Sequence, residues 1–147
     1  MSGFEFRETM SGTFRLSGDN ELQRPMTFTI RARSRSLLAF LKEPSVEIEG
    51  EVDATGFADH RHLRGTLDMD ILRTRELRYE FQFKGNDGKP YAFSGKKTLS
   101  PRDLLGSMTV LPGTLNDEVG REIGSALLRF DLRSDLVKFL LGFKLSH

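Results

Sequence analysis

The sequence predicts a mainly β chain, a single antiparallel barrel of about eight strands with a short helix after the second and a helix at the C-terminus. Three observations carry that expectation. Long segments alternate apolar and polar residues with period two, which places one side-chain set on a buried face and the other in water. Turn-forming clusters such as "SGDN" (Ser17 to Asn20) and "GNDG" (Gly85 to Gly88) separate them. Glycines recur in mid-strand, at Gly12, Gly50, Gly65 and Gly95, where a strand bulges or coils sharply, and this favours a closed barrel over a flat sandwich.

Taken in order, "FEFRETMSGTFRL" places Phe4, Phe6, Met10, Phe14 and Leu16 on one parity, with Glu8 among them. "ELQRPMTFTIRAR" does the same for Leu22, Met26, Phe28, Ile30 and Ala32, and Arg24 shares their parity. "SRSLLAFLKEP" breaks the rhythm with Ser36 as an N-cap and Leu37 to Leu41 at helical spacing before Pro44. "VEIEGEVD" sets Val46, Ile48 and Val52 against Glu47, Glu49, Glu51 and Asp53. "LRGTLDMDIL" turns Leu63, Leu67, Met69 and Ile71 inward, and "LRYEFQF" does so for Leu77, Tyr79, Phe81 and Phe83. In "YAFSGKKTL" the inward set is Tyr91, Phe93 and Leu99, with Lys97 on the same parity. "SMTVLPGTL" reads as a strand blurred by Pro112 and Gly113, and "EIGSALLRFDL" as one with Ala126, Leu128, Phe130 and Leu132 facing in. The last segment, "RSDLVKFLLGFKL", spaces Leu136, Phe139, Leu140 and Phe143 as a helix capped by Ser134.

A chain of 147 residues suits one domain, residues 1–147, with a real core. Its net charge of +1, with basic residues spread along the chain, offers no concentrated field for nucleic acid. Without cysteine there is no disulfide framework, thiolate chemistry or cysteine-rich zinc site. No signal-peptide layout or membrane-spanning apolar run occurs, so the expectation is a soluble, cytoplasmic protein. Twelve Phe against two Tyr and no Trp describe an interior that asks little of its aromatics in hydrogen bonding.

The informative residues are those on the wrong side of the pattern. Glu8, Arg24 and Lys97 place one acid and two bases on apolar parities. Burying an unpaired charge costs several kcal/mol, so a Glu8–Lys97 pair is expected, with Arg24 near a barrel mouth. Such a pair is either architectural, a salt bridge or a bulge re-aiming one side chain, or the polar anchor of a ligand cavity. On the second reading Met10, Phe28, Met69, Tyr79, Phe81, Tyr91 and Phe93 form the apolar lining. Acid–base work by Glu8 and Lys97 is a third option, since burial tunes both toward neutrality. No nucleophile elbow, P-loop or dinucleotide fingerprint supports a known catalytic class, no cofactor is called for, and whether the chain is an enzyme stays open. "DHRH" (Asp59 to His62) is the only histidine-rich spot, and its solvent parity reads as a turn rather than a metal site.

The order "FRETMSG", "SLLAFLKEPSVEIEGEV", "YAFSGKKTL" and "GSALLRFDLRSDLVKFLLGF" resembles an accessory β-rich domain of large bacterial proteins related to glucose–methanol–choline flavin oxidoreductases, cholesterol-oxidase-like enzymes among them. The resemblance implies that Glu8, Met10, Gly12, Gly95 and Lys97 match recurrent positions of that domain. It also implies an association with apolar, lipid- or sterol-like substrates and a flavin oxidoreductase as partner. Neither flavin-binding nor hydrolase segments accompany it, so no oxidase or hydrolase activity is implied. By shape alone the expected barrel is similar to calycins such as lipocalins, an analogy of fold. The expected function is therefore binding of a small hydrophobic molecule, with a non-catalytic interaction module as the alternative.

Overall fold

Alternation of this length has one economical solution, a sheet with one dry face, and a sheet that closes on itself leaves no edge exposed. A computed structural model describes residues 4–18, 22–34, 43–70, 73–100, 102–103, 106–107 and 109–130. Among these, the strands are β1 (Phe4–Leu16), β2 (Arg24–Ser34), β3 (Ser45–Ala54), β4 (Ala58–Asp68), β5 (Glu76–Lys84), β6 (Pro90–Thr98), β7 (Val110–Asn116) and β8 (Glu122–Phe130). Each pairs antiparallel with the next, and β1 closes the ring on β8 from Met10↔Phe130 to Leu16↔Gly124. The expected closed barrel of eight strands is what the chain forms. The expected helices over Leu37–Leu41 and Leu136–Phe143 lie outside the described residues, and no described helix is long and apolar enough to cross a membrane.

The inner face carries the predicted parity: β3 and β5 alternate buried and exposed positions along nearly their whole length. An eight-stranded barrel is just wide enough for its side chains, and here aromatic rings occupy the centre. Phe81 and Phe93 stack with centroids 4.9 Å apart, and Phe28 meets Phe81 edge-on at 5.1 Å. Leu22 departs from the expected parity and is 56% exposed, because it precedes β2 and no ladder constrains it. Leu132 and Ile71 lie outside the described residues.

The mid-strand glycines act by close approach rather than by bulging. The register runs unbroken through Gly12 and Gly50, while irregularities fall at Val52/Ala54 and Leu115/Asn116. A Cβ on Gly12 would strike the Leu127 carbonyl oxygen, and one on Gly50 that of Thr29. A small barrel coils its strands so tightly that the neighbouring backbone takes up that space.

The wall is weakest between β6 and β7. Their ladder runs from Ala92↔Asn116 to Gly95↔Gly113 and stops, although β7 continues to pair with β8 as far as Val110↔Arg129. Pro112 stands at the break and has no amide hydrogen to donate. The C-terminal end of β6, which carries Lys97, thus diverges from β7.

Candidate functional site

Three strands place polar groups in the apolar interior beside that divergence. Glu8 projects inward from β1 between Phe6 and Met10, and Lys97 from β6 between Gly95 and Leu99. Tyr79 comes from β5, four strands around the ring and therefore on the wall facing β1. Among the described residues, Glu8 at 1% and Lys97 at 5% exposure are the buried charged-type side chains.

The Tyr79 hydroxyl crosses the lumen and donates to Glu8 Oε1 at 2.9 Å, while Glu8 Oε2 is buried with no hydrogen-bond partner. Lys97 Nζ sits over the Phe130 ring, 2.9 Å from its centroid, and 5.7 Å from that of Tyr79. Burial pushes the Glu8 carboxyl up to about 8, opposed by the charge of Lys97 and the Tyr79 hydrogen bond. Burial also pushes Lys97 down to about 7, opposed by the charge of Glu8. The ring faces favour the ammonium by roughly 2 kcal/mol at a desolvated site, less than the several kcal/mol of desolvation, so the downward direction stands. Tyr79 stays protonated because burial, and then Glu8, raise its phenol well above the ordinary value. The result is a carboxyl that holds its proton near neutrality and an amine that gives its proton up easily, both in the interior of the same barrel.

The predicted residues do not all gather there. Glu8 and Lys97 are both buried and both meet Tyr79, whereas Arg24 belongs to the opposite mouth. It pairs in register with Phe14, six residues further along β1 than Glu8, or roughly 20 Å at strand rise. Its Nη1 donates to the Thr55 carbonyl at 3.1 Å and its guanidinium lies 5.0 Å from the Phe14 centroid, so it closes a turn. Met10, Phe28, Phe81 and Phe93 are fully buried along the lumen, and Met69 is buried just beyond β4, with its amide donating to the Pro44 carbonyl at 2.7 Å. Tyr91 is a correction: it is half-buried at the far rim, where its hydroxyl donates to Asp87 Oδ2 at 2.6 Å. Tyr79 was expected as apolar lining and is instead a polar partner. Its signal was present, since a tyrosine on an inward parity among many phenylalanines needs a place for its hydroxyl. Phe130 was expected inside but not as the face under Lys97.

The acidic row on β3 behaves as a wet face, with Glu47, Glu49 and Glu51 opposite Arg33, Arg31 and Thr29. Arg31 and Glu49 line an outer groove of about 570 Å³ with Arg33 and Glu5, whose charges pair at 3.1 to 4.0 Å. Such exposed pairs contribute about 0–1 kcal/mol each. His60 lies 3.5 Å from Asp53, Asp59 accepts from Gly56 and Asn86, and no cluster of metal-ligating side chains occurs among the described residues. No protein-family model matches the chain, and no curated protein or solved structure matches it either.

Proposed function

We propose that the barrel binds a small hydrophobic molecule at the end that carries Lys97, with Glu8 and Lys97 orienting a polar oxygen of the guest. The observation that carries this reading is Glu8 Oε2, a buried carboxyl oxygen without a hydrogen-bond partner. Leaving such an atom unsatisfied costs about 1–3 kcal/mol, and a ligand hydroxyl or carbonyl relieves that cost. The divergence of β6 from β7 next to Lys97 supports entry from the side. Because Phe28, Phe81 and Phe93 pack the centre, the guest occupies the outer part of the lumen rather than its full length.

Native mass spectrometry of protein purified without delipidation, followed by a sterol and fatty-acid panel, tests the reading. A bound species of lipid-like mass, with affinity lowered in Lys97→Met more than the melting temperature, is the expected result. Unchanged affinity in that variant removes the anchor role. The same ring packing favours a second reading, a solid barrel acting as an interaction module for a flavin oxidoreductase of the glucose–methanol–choline type. An apo mass that survives the whole panel, together with co-elution of the barrel with such an enzyme, would select it.

A further inference from the structure

We propose that Lys97 is a nucleophilic amine that captures a hydrophobic aldehyde as a Schiff base, with Glu8 as its proton donor and counter-ion. The inference rests on the ligand-binding reading above and names the guest's reactive group. Its geometry has three parts. Lys97 Nζ is buried against the Phe130 ring, on a strand that parts from its neighbour two residues earlier. Glu8 and Lys97 meet the same tyrosine, the acid through the Tyr79 hydroxyl and the amine 5.7 Å from its ring centroid, and Glu8 presents a buried oxygen with no hydrogen-bond partner. Tyr79 holds the other carboxyl oxygen at 2.9 Å and thereby fixes the orientation of the acid from across the barrel.

The step closes without a further reactant. The Nζ lone pair forms a bond to the aldehyde carbon as the carbonyl electron pair moves to oxygen, and a proton passes from nitrogen to that oxygen. Glu8 then gives its proton to the hydroxyl, which leaves as water while the nitrogen lone pair closes the C=N bond. The products are an iminium, a Glu8 carboxylate and water, with nothing oxidised or reduced. The iminium keeps the charge of the ammonium, so the faces of Phe130 and Tyr79 serve it in the same way. An ordinary lysine at neutral pH offers roughly one neutral amine in a thousand, whereas burial gives Lys97 a far larger share. Lys96 is an internal control, one residue away on the solvent side, with its Nζ paired to Glu76 at 3.3 Å.

The test treats the folded chain with decanal and cyanoborohydride at neutral pH and maps the reduced alkyl groups by peptide mass spectrometry. The expected product is alkylated Lys97 with Lys96 largely untouched, no adduct at that position in Lys97→Arg, and formation slowed roughly 100-fold in Glu8→Gln. Alkylation of Lys84, Lys89 and Lys96 with Lys97 unmodified overturns the proposal within the wild-type chain, whatever the variants' folding. Decanol separates the two failures. If decanol binds by native mass spectrometry while decanal leaves Lys97 unmodified, the covalent step falls and the binding site stands. If neither engages the protein, both fall.

Discussion

The two mouths of this barrel are built from different materials. One carries the connections 17–23, 55–57, 85–89 and 117–121, and each contains a positive-φ glycine, Gly18, Gly56, Gly88 and Gly120. Beneath those turns the packing is aromatic, with Phe57 meeting Tyr91 at 4.7 Å and Phe83 at 6.0 Å, while hydrogen bonds hold the turns and link them: Asp87 and Asp117 tie down their own turns, and Asn86 donates to Asp59 beside the neighbouring one. The other mouth carries the connections 35–44, 69–75 and 99–109, of which the first and last are longer than any at the opposite end. It also holds Glu8, Tyr79 and Lys97 and the divergence of β6 from β7. The difference teaches a division of labour. Tight hairpins set strand register cheaply, because glycine adopts their backbone without strain. A mouth relieved of that task can hold buried ionisable groups whose cost the rest of the barrel offsets.

The largest expected effect breaks the hairpin mouth. Phe14→Ala removes a fully buried ring at that end and should cost about 3–5 kcal/mol in chemical denaturation, with no change in pH dependence. The second sharpens the polar mouth. Glu8→Met with Lys97→Met replaces the pair by apolar groups of similar length and should stabilise by about 1–4 kcal/mol. That gain should depend on pH. Between 4.5 and about 8 the unfolded Glu8 has lost its proton while the folded one keeps it, so wild-type stability falls as pH rises. Between about 7 and 10.5 the unfolded Lys97 keeps a proton that the folded one has released, so stability recovers with rising pH. Wild-type stability relative to the double variant should therefore pass through a minimum between pH 7 and 8, and a flat difference in melting temperature would refute the buried titration. The smallest effect is Tyr91→Phe, which loses only a rim hydrogen bond to Asp87 and should shift stability by about 0.5–1 kcal/mol.

Much of the fold was legible from particular residues. The run from Val46 to Val52, alternating with three glutamates, could only be a strand with one wet face. The same rule placed Glu8 and Lys97 indoors without any knowledge of their surroundings. It failed for Leu22, which has the right parity but precedes the ladder that would enforce it. It also treated Tyr91 and Tyr79 alike, although one hydroxyl reaches a turn and the other a buried acid. Parity assigns a face, whereas height along the barrel axis depends on the stagger between strands.

By itself, then, the sequence determined which side chains enter the barrel, because alternation is a local property of an extended backbone. Only the tertiary structure decided which of them meet. Tyr79 finds Glu8 across the lumen, Phe130 lies under Lys97, and Arg24 is sent to the opposite mouth. Each of those meetings depends on the stagger accumulated through the strand registers around the closed ring, and no single stretch of chain contains that sum.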